Sequence, residues 1–437
     1  MKVAVIGAGW AGLAASVHLL RQGLKPTVFE ASGVAGGRAR VVDDVNMGAI
    51  DNGQHLLVGA YTSTLDLIRQ LHPDRTESEF LMRIPLHLEC ADGQFRMRAP
   101  AIAAPLHTLF ALLSAQGLSI RDRWRALRMM LALKRSAWQA EPGLTVAQLL
   151  KRHAQSDQIC RRLWIPLCLA TLNTSDMQAC AQLFLNVLRD TLDAPRQHSD
   201  LLIPLKDLTR VWPEQAAQLV DMRYRHIVRN VTVTAEQVWV DQEKFDACIV
   251  AIPPYATARV LQTESNHDAL SSLLKTLEQF AYRSIATLTL QLDRTWHLPQ
   301  PLLLLNEDHQ RGHYGQWVFE RTHAERPTQL AVVVSDAEDF LKHDRSAFVA
   351  SITEQIREQC AARVNLTTMP EVVQHRLIVE KRATFAAIPG LARPTVQTPW
   401  ARLFLAGDWT DTGYPAVLEG AVRSGETAAE KLLEADF

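Results

Sequence analysis

Lys2 to Ile6 is a short apolar run, rich in β-branched residues, that passes without a break into Gly7-Ala8-Gly9-Trp10-Ala11-Gly12. Such a run suits a strand buried on both faces of a parallel sheet. Helical periodicity follows from Leu13 to Arg21, stops at Gln22-Gly23, and gives way to a second strand, Pro26-Thr27-Val28-Phe29-Glu30. Strand, GxGxxG turn, helix and strand in that register make a βαβ unit, and nothing else in the chain narrows the fold as much. Gly7 permits the tight turn, Gly9 lets backbone approach a pyrophosphate, and Gly12 lets helix pack closely on strand; Ala11 is grouped with them as cofactor-binding. The helix N-terminus then aims unpaired N–H groups and its positive dipole end at the phosphates. Glu30 is placed to accept hydrogen bonds from ribose hydroxyls, and its charge disfavours a 2′-phosphate, which argues against NADP.

The first motif does not separate FAD from NAD. The next one, Ala35-Gly36-Gly37-Arg38, does more, because a simple NAD domain has no need of it. Gly36 and Gly37 bring backbone near the pyrophosphate, and the Arg38 guanidinium can pair with it; the competing reading is an ordinary turn with a surface arginine. Near the other end, Phe404-Leu405-Ala406-Gly407-Asp408-Trp409 reads as a strand ending in Gly407-Asp408. Asp408 can bond a ribityl or phosphate-side hydroxyl. Pro415 suits the first turn of a helix from about Ala416, which would place Val417 and Leu418 at the flavin edge, where the dipole favours the negative charge of a reduced flavin. A plain C-terminal packing helix capped by the aspartate is the competitor. Taken together, the two ends point to FAD, bound non-covalently.

A chain of 437 residues suggests two domains. Residues 66–204 hold short apolar helical patches between Pro- and Arg-rich connectors, whereas strand signals return at Val231–Thr234, Val238–Val240, Ala247–Ile252, Ala286–Leu292, Leu330–Val334 and Leu403–Ala406. The expected fold is α/β: a Rossmann-like FAD-binding domain assembled from 1–65, 205–262 and 392–437. An inserted α+β substrate domain would come from 66–204 and 263–391. With 46 basic against 47 acidic side chains, no global field would draw in nucleic acid. The six cysteines have no CxxC and no zinc spacing, which suits a reducing cytosol and predicts no metal site. No signal-peptide pattern and no long apolar run is present, so a cytoplasmic enzyme is expected. A single GxGxxG without a redox CxxC leaves an external electron donor as the source of any reducing equivalents.

The GAGWAGL…GGR start and the GDW…PAVLEGAVRSG end resemble the flavin-containing amine oxidase and carotenoid-desaturase superfamily. That resemblance implies an amine-oxidase-like fold and a backbone contact from Val231 to the adenine. A narrower match comes from Gly48-Ala49-Ile50-Asp51-Asn52-Gly53-Gln54-His55-Leu56-Leu57-Val58-Gly59-Ala60-Tyr61, whose part from Asp51 on resembles the bacterial hydroxysqualene dehydroxylases; Lys381 to Phe385 with Pro389-Gly390 fits the same group. The implied reaction delivers hydride to an allylic carbon as the hydroxyl of hydroxysqualene leaves, with Gly53 and Gln54 beside the flavin and a long apolar isoprenoid as substrate. Hydroxide leaves poorly, so a proton donor is required. Asp51 and His55 are the leading candidates, against a structural hydrogen bond supporting the turn at Gly53 for the first and a satisfied core histidine for the second. Tyr414 and Arg382 follow, against simple packing on the flavin face and pairing with a carboxylate. Residues 105–138 mix apolar clusters with six basic residues between Arg121 and Arg135. They read either as an interface-lying hairpin, peripheral on the inner face of the cell membrane, or as a core helix with a solvated basic face. An amine oxidase, a carotenoid-type desaturase and a non-catalytic prenyl-lipid carrier of the GDI type share the cofactor-domain motifs or fold and remain the alternatives.

Overall fold

Val3–Ile6 is buried along its length and pairs in parallel with Thr27–Phe29 on one side and Ala247–Val250 on the other. Asp221–Arg223 extends this sheet beyond Thr27–Phe29, and Leu403–Leu405 closes it beyond Ala247–Val250, giving five parallel strands drawn from widely separated parts of the chain. The computed structural model describes residues 1–263, 267–321, 328–338, 344–363 and 367–435. Of the expected range 263–391, residues 264–266, 322–327, 339–343 and 364–366 therefore lie outside the described residues.

Helix Trp10–Arg21 packs on this sheet, and its glycines show why. A Cβ on Gly12 would stand 2.0 Å from the Gly7 carbonyl oxygen, and one on Gly7, which sits at φ +101°, would meet the Ala251 oxygen at 2.7 Å. Only glycine fits either place. The C-terminal helix, Leu418–Glu434, crosses the first helix at the same closeness, because a Cβ on Gly425 would lie 2.1 Å from the Ala11 oxygen.

A second, antiparallel sheet carries the order Leu302–Leu304, Trp317–Arg321, Gln329–Ser335, Tyr282–Leu292, Val372–Phe385. Helix Arg345–Ala361 covers it and buries Phe348, Ile352, Ile356 and Cys360. A small four-stranded sheet includes Val231–Val233 and Val238–Val240. The segment between the first nucleotide-binding pieces and Leu201–Pro204 is largely helical, with the short strands Leu81–Ile84, His87–Glu89 and Arg96–Arg98 among its helices. Those three strands have too few residues to show a period of two in the sequence. No described helix is long and apolar enough to cross a membrane.

The C-terminal helix departs from expectation at its start. Val417 is its N-cap and Leu418 its first residue, so Pro415 lies outside the first turn. The preceding loop is held by side chains from elsewhere, and the Val417 N–H is used on the Pro415 carbonyl in a tight turn. Gly425→Ala forces a Cβ against main chain that cannot step aside. It should cost about 2 kcal/mol or more, seen as a lower urea midpoint at unchanged m-value.

Candidate active site

Two glycine segments lie back to back at the edge of the parallel sheet. The Gly36 N–H donates to the Ala8 carbonyl at 2.8 Å, and a Cβ on Gly37 would sit 3.0 Å from the Gly9 Cα. Gly36 and Gly37 both have positive φ, +110° and +63°. Helix Trp10–Arg21 starts directly after Gly9 with no side chain capping it, so its first N–H groups are left for a ligand. A cradle in which Gly7, Gly12 and Gly36 have no room for a Cβ, and Gly37 barely any, fits the pyrophosphate of a dinucleotide. Glu30 accepts from the Ala8 N–H through one oxygen and from the Ser32 N–H through the other, both at 2.8 Å. A carboxylate so held keeps lone pairs free for ribose hydroxyls.

Arg38 and Asp408 meet across the cradle. Arg38 Nη2 donates to both Asp408 oxygens at 2.7 Å, and Nη1 donates to the Ala383 carbonyl at 2.5 Å. The two residues expected to act separately on the cofactor thus fix each other, leaving the remaining Arg38 N–H groups to face a phosphate. Gly407 stands at φ +150°, where a Cβ would collide with the Trp409 indole at 2.3 Å.

The loop from Asp408 to Tyr414 is organised by Arg393, which sequence reading passed over. Its guanidinium donates to the carbonyls of Asp408 (2.9 Å), Trp409 (3.3 Å), Thr410 and Tyr414 (2.7 Å), and to the Thr412 hydroxyl (3.2 Å). No motif announces such a residue, because its partners are backbone atoms of a distant loop. Helix Leu418–Glu434 likewise begins without a side-chain cap. Buried Glu419 reaches instead to the N–H groups of Ser63 and Thr64, at 3.1 and 3.0 Å, and so caps helix Thr62–Leu71.

The four candidate proton donors occupy different settings. Asp51 accepts from the Leu208 N–H through Oδ1 (2.8 Å) and from Arg321 through Oδ2 (2.6 Å). Arg321 also donates to Gln54 at 3.0 Å. Asp51 therefore ties the block to the antiparallel sheet, the structural alternative considered for it, although its expected partner was the turn at Gly53. His55 Nδ1 lies 2.7 Å from the Gly53 carbonyl, so Nδ1 carries the hydrogen and Nε2 keeps its lone pair. Burial is the main influence on its pKa and lowers it, partly offset by the bond to Gly53, so the imidazole is neutral near pH 7.

Tyr414 donates its hydroxyl to Asp190 at 2.5 Å, and burial, reinforced by Asp190, pushes its pKa up. It is held by this bond and does not simply pack. Arg382 stacks on the Tyr255 ring at 4.2 Å and lies 5.7 Å from that of Tyr282, in place of the expected carboxylate. Arg38 is close enough to act electrostatically on both His55 and Tyr282, which brings these groups into one neighbourhood. Val231 is buried between Val240 and Leu261 in the small sheet, so its backbone does not lie on an open strand edge. No cluster of three or more His, Cys, Asp or Glu suited to a metal ion occurs among the described residues.

Arg393→Ala should leave four loop carbonyls without their donor. With charged hydrogen bonds worth ~1.5–3 kcal/mol each, FAD affinity should fall at least tenfold, measured as flavin retained per folded chain by absorbance and circular dichroism. Full flavin occupancy at wild-type affinity would show that the loop holds its shape without the clamp.

The family model for flavin-containing amine oxidoreductases matches residues 10–433. The hydroxysqualene dehydroxylase of Rhodopseudomonas palustris is 31% identical, covering 99% of this chain and 98% of its own; that of Zymomonas mobilis is 26% identical over 98% of each. A 15-cis-phytoene desaturase of Narcissus pseudonarcissus is 22% identical over 99% of this chain and 80% of its own. Among solved structures, cyclohexylamine oxidase from Brevibacterium oxydans superposes with a TM-score of 0.71 at 16% identity, covering 99% of this chain and 98% of that one. A reduced UDP-galactopyranose mutase gives 0.67 at 15%, over 99% and 94%. The protein is an FAD-dependent oxidoreductase, which removes the non-catalytic carrier reading. The chain belongs to the flavin-containing amine oxidoreductase family and, within it, to the group of the hydroxysqualene dehydroxylases.

Proposed function

We propose that this chain removes the allylic hydroxyl of hydroxysqualene reductively, giving squalene and water. The observation that carries the reading is the end-to-end similarity to three hydroxysqualene dehydroxylases at 26–31% identity, which extends through the antiparallel sheet and not only through the cofactor motifs. In balance, a C–O bond breaks, a C–H bond forms at carbon, and the oxygen leaves as water after taking a proton that comes from solvent. Two electrons per turnover come from an external donor, and bound FAD supplies the hydride chemistry.

The chain's own residues orient and exclude. Arg38, Asp408 and the Arg393-held loop fix the cofactor end. His55, neutral and with a free Nε2, is suited to accept a hydrogen bond from the substrate hydroxyl and so to point the C–O bond. It serves as an acceptor; a resting imidazole in this state has no proton to give from Nε2. Arg321 and Asp51 support it from behind by locking the Gly53–Gln54 turn to the sheet.

This assignment has a definite pH signature. The pKa of His55 in the folded protein lies below its ordinary 6.5, so the unfolded chain binds more protons in the interval between. The stability contributed by the neutral ring is present above pH 6.5 and lost as pH falls through the folded value. An acceptor role predicts kcat/KM flat above pH 6.5 with a fall only on the acid side. His55→Gln should lower kcat/KM about tenfold and abolish that acid limb. Activity that instead declines as pH rises, and disappears in the glutamine variant, would make His55 the proton donor.

The reaction itself is tested by mixing anaerobic, photoreduced enzyme with hydroxysqualene. Flavin reoxidation should accompany formation of one squalene per flavin. Should the reduced enzyme stay inert while the oxidised enzyme desaturates a carotenoid-type isoprenoid, the oxidative reading takes its place.

A further inference from the structure

Helices Leu106–Ser114 and Ile120–Arg135 form a hairpin, tied together by Arg123, which donates to the Leu113 carbonyl (3.0 Å) and to that of Leu118 (3.2 Å). One side of the hairpin is ordinary core: Ala111, Leu112, Ala126, Met129 and Leu133 are buried. The opposite side is not accounted for by packing. Ile120 is 72% exposed, Trp124 60%, Phe110 48%, and Leu106 and Leu131 47% each. Large apolar side chains gathered on two adjoining helices mark an interaction surface.

Its charge says which kind. Asp122, the sole acid between Ile120 and Arg135, is turned inward, where Ser119 and Ser156 donate to it at 2.6 Å. Lys134 is paired with Asp193 at 2.5 Å. Arg121, Arg128 and Arg135 are exposed and, among the described residues, make no ion pair. An aromatic and aliphatic face edged with free guanidinium groups, with its one carboxylate withdrawn, is complementary to an anionic phospholipid surface.

We infer that this hairpin docks the enzyme on an anionic bilayer, with Trp124 and Phe110 in the interface and Arg121, Arg128 and Arg135 on the headgroups. The hairpin rests on helix Ala181–Leu192, where Thr108 donates to the Leu192 carbonyl (3.1 Å), and Asp190 of that helix holds Tyr414. The docking face is therefore one helix away from the candidate active site. The inference rests on the surface alone and stands apart from the proposed reaction.

The test is flotation of the FAD-loaded protein with phosphatidylcholine vesicles, with and without phosphatidylglycerol. Wild type should float with the anionic vesicles. Phe110→Ser with Trp124→Ser should abolish flotation. The triple Arg→Gln variant at 121, 128 and 135 should lose roughly a hundredfold in partitioning. Flavin content of each variant, and its turnover of detergent-dispersed substrate relative to wild type, report folding and the reaction independently of docking. Wild type that stays with the dense fraction overturns the inference, as do variants that still float. It is also overturned if light scattering shows a dimer that Trp124→Ser dissociates, since a second copy would then cover the face.

Discussion

The first and last helices touch where a single Cβ would not fit, at Gly425 over the Ala11 carbonyl. Around that contact the chain closes on itself: Leu403–Leu405 pairs with Ala247–Val250, which pairs with Val3–Ile6. Arg38 then faces Asp408, and two helices from opposite ends of the sequence begin without a side-chain cap. Loop-closure entropy opposes each of these long-range pairings, so the site assembles only when the parallel sheet is complete.

What the sequence made legible was whatever has a local cause. A strand–glycine–helix unit has a period and a punctuation, and Val3–Ile6, Trp10–Arg21 and Thr27–Phe29 appear where the pattern puts them within a few residues. The strands near 231, 238, 247, 286, 330 and 403 were readable for the same reason. The start of the last helix was not. Pro415 is a good first-turn residue in isolation, but Arg393 pins the preceding loop and delays the helix to Leu418. Tertiary hydrogen bonds override a local preference, and a single sequence carries no sign of them.

The site divides along the same line. Residue types with catalytic capacity could be picked out, but not their pairing. Asp51 looks like an acid until Arg321 and the Leu208 N–H bond both its oxygens, and Tyr414 looks like a packing ring until its hydroxyl is seen to donate to Asp190. His55 keeps one open valence, and its tautomer is chosen by the carbonyl two residues earlier. The hairpin shows the reverse case. Its composition suggested a surface, but Ala111, Leu112, Met129 and Leu133 of its apolar clusters are core, and Ile120 and Trp124 carry much of the exposed apolar face.

Glu419 has a consequence for how such enzymes diversify. It belongs to the last helix, Leu418–Glu434, yet its carboxylate caps Thr62–Leu71, the helix that directly continues the Asp51–Tyr61 block. The Asp51–Tyr61 block and the last helix are thus mechanically one part, though the bonded residues are 355 positions apart in the chain. A chimera that exchanges the block between a dehydroxylase and a desaturase inherits a helix start shaped for a particular carboxylate. The two segments are then inherited as a coupled pair, and recombination that separates them breaks a helix cap.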